Sequence, residues 1–95
     1  MEKQDRITQE RLEKYREITE KALVIAKKSI NKDMSKEAKE ILEMVKNYLS
    51  DSKYFKEQGH YVNSFAAINY AHGWLDSGAR LNIFKVKDNK LFTIE

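Results

Sequence analysis

Four side chains in the second half of the chain have the types and the spacing to do chemistry: Asn69, His72, Asp76 and Arg80. At 100° per residue they fall within one arc of about 80° on a helix. An imidazole one turn from a carboxylate is an oriented general base, and an arginine one turn further on is spaced to hold an anionic substrate. Read as structure, Asp76–Arg80 is an ordinary i,i+4 pair and His72 a histidine hydrogen-bonded at the edge of a core. The structural reading takes precedence, because clusters of ionisable groups are often structural networks. The four residues stand as a candidate ligand-binding or enzymatic cluster, and no catalytic residue is assigned. For a metal, His72 and Asp76 supply two ligands and His60 lies about three turns away, so no metal site is expected. No phosphate-cradling glycine loop or nucleophile motif accompanies them. No cofactor is expected, and the sequence points away from an enzyme.

These residues belong to the stretch INYAHGWLDSGARL, residues 68–81, which holds one acid, one base, two glycines and the sole tryptophan of a chain that is 35% charged. Projected on a helix, the segment has apolar groups on two sides. One arc carries Tyr61, Phe65, Ile68, Leu75 and Ala79; the other carries Ala67, Tyr70, Trp74, Gly78 and Leu81. A surface helix shows a single apolar stripe, so a helix apolar on both sides requires two covers. Gly73 and Gly78 each cost about 1 kcal/mol inside a helix, which suggests a close approach of backbone or ligand at both.

The elements that must position this helix follow from the same periodicity. From about residue 5 to 31, Leu12, Tyr15, Ile18, Ala22, Leu23, Ile25, Ala26 and Ile30 share one face. A second helix, about 35–58, gathers Ala38, Ile41, Leu42, Val45, Tyr48, Leu49, Ser52 and Phe55, with Asp33 or Ser35 as its expected N-cap. Gly59 closes it and the third helix, about 60–82, begins almost at once; connections this short make sequential helices antiparallel. The expected architecture is mainly α, an up-and-down three-helix bundle forming a single domain over residues 1–95. Residues 83–95, IFKVKDNKLFTIE, alternate in polarity around Asp88-Asn89 and read as a C-terminal β-hairpin or extended tail. A three-residue loop would align Phe84 with Ile94 and Val86 with Phe92, giving an apolar face to lie over the third helix. The candidate interaction surface is accordingly Tyr70, Trp74, Gly78, Leu81 and Phe84.

The totals narrow the function classes. The chain has 95 residues and no cysteine, which excludes disulfides, zinc–thiolate sites and thiol catalysis and suits a reducing compartment. No apolar run approaches the ~20 residues that span a bilayer, and the opening MEKQDR has no apolar signal region; a cytoplasmic protein with no membrane partner is expected. The net charge of +3 is spread thinly, with nine bases and seven acids in residues 1–33 and five of each in 34–59. A diffuse excess of this kind makes no nucleic-acid footprint by itself.

The run from Asp51 to Phe84, DSKYFKEQGHYVNSFAAINYAHGWLDSGARLNIF, resembles the signature of a small archaeal family, domain of unknown function 357. The telling pieces are Tyr54-Phe55, Gly59, Ala67 to Ala71, Gly73 to Asp76, and Gly78 to Leu81. The resemblance implies an archaeal source and a bundle similar to the albumin-binding-domain class, and carries no activity. Asn82 stands where the family leads one to expect glycine; both residues tolerate a left-handed backbone.

Three functions follow as expectations. The first is a non-catalytic interaction or scaffold module that binds itself, as a homodimer, or a protein partner. The second is a nucleic-acid accessory protein using the lysines at 27, 28, 32, 85, 87 and 90, which requires the tail and the turn between the first two helices to share a face. The third is a small-molecule or enzymatic site around Asn69, His72, Asp76 and Arg80, which requires those side chains to converge on an open cavity.

Overall fold

The computed structural model describes residues 7–87 and 90–92. Three helices pack together: α1 (Gln9–Lys27), α2 (Ser35–Glu57), entered through a 3-10 turn at Lys32–Met34, and α3 (Tyr61–Arg80). Tyr15 meets Phe65 edge to face at 5.2 Å and Thr19 meets His72, so α1 and α3 run parallel. Ser52 meets Ser64 and Tyr48 stacks on Tyr70, so α2 runs antiparallel to α3. The middle helix is α3. Contacts between α1 and α2 include the Arg16 guanidinium, which donates to the Leu49 carbonyl at 3.3 Å, and a Lys56–Glu13 pair at 3.2 Å.

The helical stripes anticipated for α1 and α2 are buried or half-buried throughout. Leu12, Ala22, Leu23 and Ala26 from α1, and Ala38, Ile41, Val45, Leu49 and Ser52 from α2, are buried. The stripe on α3 differs from the expectation of two opposed apolar arcs. Its buried residues, Ser64, Ala67, Ile68, Ala71, Leu75, Gly78 and Ala79, form one arc of about 120° that runs through the seam between those arcs. Small side chains along this seam let α2 approach closely. Ser52 and Ser64, both buried, satisfy each other there, with a 2.8 Å Oγ–Oγ contact and a 2.7 Å bond from the Ser64 hydroxyl to the Ser52 carbonyl.

Two helix ends use the same device. After α2, His60 N–H bonds to the Phe55 carbonyl and Gly59 N–H to that of Lys56, with Gly59 left-handed at φ 76°. After α3, Ile83 N–H bonds to the Gly78 carbonyl and Asn82 N–H to that of Ala79, with Asn82 at φ 62°. Asparagine thus fills the left-handed position that glycine fills elsewhere.

The start of α2 is capped otherwise than expected. Neither Asp33 nor Ser35 is its N-cap; Met34 occupies that position without a side-chain bond, and Asn31 caps the 3-10 turn by accepting from Asp33 N–H at 3.1 Å. The expected hairpin is also replaced. Among the described residues there is no strand, and Phe84 pairs in an isolated antiparallel bridge with Ile30. The expected turn at Asp88-Asn89 and the partner position Ile94 lie outside the described residues. The bridge forms because Ile83 and Phe84 drop into the core, where Phe84 is fully buried against Gly78. Asn31 N–H donates to the Ile83 carbonyl and Lys85 N–H to that of Ser29, while the Asn31 side chain donates to the Asn82 carbonyl. The tail is therefore fastened to the connection between α1 and α2.

Candidate functional site

The polar arc of α3 faces α1. Asn69, His72 and Asp76 line a cleft of about 370 Å³ whose other walls include Tyr15, Ile18 and Thr19 of α1 and Ile68 and Gly73 of α3. Arg80 is exposed and does not line it. The Thr19–His72 register carried eight residues on sets Arg80 level with Lys27, where α1 ends and the cleft has no second wall. Three of the four expected residues thus converge on open space and the fourth does not.

Within the cleft, His72 is half-buried, with Nδ1 3.1 Å from the Thr19 hydroxyl and Nε2 3.7 Å from Asp76 Oδ1. The longer distance exceeds a hydrogen bond and is an ion-pair distance when the imidazole is protonated. Thr, His and Asp in a row suggest a hydrolytic triad, but Thr19 is only 1% exposed and no substrate reaches its hydroxyl. Thr19 was not legible as a partner of His72, because a threonine inside an apolar stripe gives no sign of what its hydroxyl faces. At the cleft's other edge, a hydrogen bond from the Arg11 guanidinium, and then its charge, holds the Tyr15 phenol below its usual value, with Lys14 adding to the same effect. Among the described residues, no group of three or more His, Asp or Glu side chains is arranged to hold a metal ion.

The opposite side of α3, shared with α2, is aromatic. Tyr48 and Tyr70 stack at 5.4 Å with their planes 21° apart, and Tyr70, Trp74 and Leu81 are 63%, 39% and 65% exposed. The described tail residues leave all three uncovered to this extent. Gly78 and Phe84, expected on the same surface, are buried against each other instead. A second cleft of about 370 Å³ lies between Trp74 of α3 and Ile41 and Met44 of α2, edged by Glu37, Glu40 and Glu43. A smaller one of about 220 Å³ follows along the same face between Phe55, Ala66 and Tyr70. Acids at i, i+3 and i+6 were legible on α2, but their position beside Trp74 required the α2–α3 register.

At the end of the molecule where the tail meets the α1–α2 connection, the exposed lysines 27, 28 and 32 come together with Lys85 and Lys87, through the bond from Lys85 N–H to Ser29. No helix among the described residues is long and apolar enough to cross a membrane.

A family model described as "Protein of unknown function (DUF357)" matches residues 14–84, which spans all of α2 and α3, most of α1 and the Phe84 bridge. No curated protein and no solved structure matches the chain.

Proposed function

We propose, for a chain that belongs to the DUF357 family of proteins of unknown function, the role of a non-catalytic association module that docks a second copy or a protein partner on the face shared by α2 and α3. The observation that carries this reading is the outward turn of Tyr70, Trp74 and Leu81, large apolar side chains left exposed while serines, alanines and a glycine of the same helix are buried. The exposed parts of these three side chains offer on the order of 300 Å², worth roughly 7 kcal/mol gross when covered. That is comparable with the cost of association itself, so a partner must add further area or charge. Catalysis is disfavoured by the same geometry. The ring of His72 is committed to Thr19, and the hydroxyl beside it is buried.

Native mass spectrometry of gently purified protein tests the proposal. The expected result is a mass above the 11.2 kDa chain, by a second copy or a bound protein, that falls to the chain mass in Trp74→Ala without loss of helicity. Trp74 lies outside the main core, so its truncation should spare the fold. An assembly that Trp74→Ala leaves intact, or wild-type protein found only at the chain mass, overturns the reading.

A second reading, a nucleic-acid accessory role, is favoured by the exposed lysines 27, 28, 32, 85 and 87 gathered at one end by the tail. It requires binding to DNA or RNA that weakens steeply with salt, because lysine–phosphate contacts release counterions. Binding insensitive to salt rules it out.

A further inference from the structure

The cleft at Trp74 has a chemistry of its own. Its walls are apolar, from Ile41 and Met44 of α2 and the half-exposed indole of α3, and its α2 edge is a row of three carboxylates, Glu37, Glu40 and Glu43. All three glutamates are exposed, and none is in an ion pair within the described residues. Lys36, Lys39 and Lys46 of the same helix do not line the cleft. The groove is therefore locally acidic on a chain whose net charge is +3.

We propose that this groove seats a basic amphipathic segment of a partner protein, with an apolar side chain against Ile41, Met44 and Trp74 and lysines or arginines along the glutamate row. The proposal rests on the association reading and names the chemistry of the partner. The spacing i, i+3, i+6 stretches the three charges over about 9 Å of helix, which matches bases one turn apart on an approaching segment. The same spacing leaves them too dispersed to chelate, in keeping with the lack of a metal-holding group among the described residues. A wholly apolar occupant would strip water from three carboxylates without compensation, which burial of unpaired charge makes costly. Two copies docked groove to groove about a two-fold axis would set the glutamate rows against each other, a like-charge juxtaposition that opposes pairing. A basic segment meets both demands, since a cation over the indole face adds attraction to the carboxylate contacts.

Trp74 is the sole tryptophan, so its fluorescence reports on the groove directly. The test titrates full-length protein with a tryptophan-free amphipathic peptide of lysine and leucine, and with its glutamate–leucine counterpart, at low and high salt. The lysine–leucine peptide should shift Trp74 emission saturably, and high salt or the triple reversal E37K/E40K/E43K should weaken it roughly tenfold or more. The triple variant should instead take up the glutamate–leucine peptide. A matched reversal at the exposed Glu10, Glu17 and Glu57, away from the groove, should leave binding within about threefold of wild type. Circular dichroism confirms that each variant remains helical.

Equal response to both peptides, or equal loss with the control reversal, overturns the inference. If it fails while Trp74→Ala still breaks an assembly, association stands and the occupant is of another kind. Sedimentation that finds a self-assembly indifferent to E37K/E40K/E43K names a second copy as that occupant, and also overturns the inference.

Discussion

Gly73 and Gly78 should respond to the same substitution with opposite sign. A methyl group at Gly73 would meet no heavy atom within 4 Å, and its backbone is helical, so Gly73→Ala should recover the helix-propensity difference of about 0.8–1.0 kcal/mol. At Gly78 the same gain competes with a clash. The methyl would lie 2.5 and 2.6 Å from Cε2 and Cδ2 of Phe84 and 3.3 Å from Ile41 Cδ1. The Phe84 ring cannot swing into solvent. Phe84 is 0% exposed, its backbone N–H donates to the Gly78 carbonyl at 3.2 Å, and its backbone is bridged to Ile30. Forcing a methyl into such a site costs about 1–3 kcal/mol when the neighbours shift, and expelling the ring approaches the 3–5 kcal/mol of a Phe→Ala truncation. After the helix gain of about 1 kcal/mol is subtracted these limits become about 0–2 and 2–4 kcal/mol, and with the ring fully enclosed Gly78→Ala should destabilise by about 2 kcal/mol.

For a domain of this size 1 kcal/mol moves Tm by roughly 4–8 °C, so the two alanine variants should melt on the order of 10 °C or more apart. Urea unfolding followed by circular dichroism measures both, with an unchanged slope showing that stability and not compactness has moved. A Phe84→Ala background isolates the cause: there Gly78→Ala should lose most of its cost, a coupling read from the double-mutant cycle. An equal effect of Gly78→Ala with and without the ring would refute the packing argument. A destabilised Gly73→Ala would show that the open space beside this residue is not what the geometry indicates.

Three further outcomes are expected. Ser64→Ala should cost about 1–3 kcal/mol because it leaves the buried Ser52 hydroxyl without its partner, whereas Ser52→Ala/Ser64→Ala should cost less than the sum of the single changes; additive urea-unfolding energies would contradict this. Asn31→Ala should cost about 1–2 kcal/mol through loss of the 3-10 cap and of the bond to the Asn82 carbonyl, and Asn31→Asp, which retains the cap oxygen, should fall between it and wild type in the same assay. Because Arg11 lowers the folded pKa of Tyr15, the phenolate's contribution to stability is full above the unfolded value near 10 and fades as pH falls through the folded one. Ultraviolet titration should accordingly find one tyrosine ionising early in wild type and shifted upward in Arg11→Gln; identical curves would remove Arg11 as the cause.

The helices were legible because large apolar residues recur every three or four positions, and in α1 and α2 those residues are the ones at the interface. In α3 the same rule holds for Ile68, Leu75 and Ala79, which are buried, and fails for Tyr70, Trp74 and Leu81, which are not. Size marks burial only where the partner helix stands far enough off to admit a large side chain. Between α2 and α3 the spacing is set by Ser52, Ser64, Ala67, Ala71 and Gly78, so small residues take the inside and Tyr70 and Trp74 turn outward. The tail misled for a related reason. Its alternation reads as a strand, but which residue pairs with Phe84 is decided by the room a missing side chain leaves at Gly78 and by Asn31, which is far from it in sequence. The polar arc faces α1 as far as α1 extends: Arg80 shares the wheel's arc with His72 and Asp76 but not the cleft, because a wheel carries no information on where a facing helix stops.

These departures bear on function in one direction. Were Trp74 the plug of a hairpin-covered core, its truncation would report on folding alone. With the seam between α2 and α3 closed by small side chains, the fold does not need the indole, and its place beside Glu37, Glu40 and Glu43 calls for another explanation. Stability and association should therefore separate in mutants of this protein. Changes at Gly78, Ser64 and Asn31 should lower the unfolding midpoint whatever the partner, while changes at Trp74 and the glutamate row should alter what the protein binds at nearly constant stability. A set of variants in which the two properties fell together would mean that the outward aromatic face is part of the core after all.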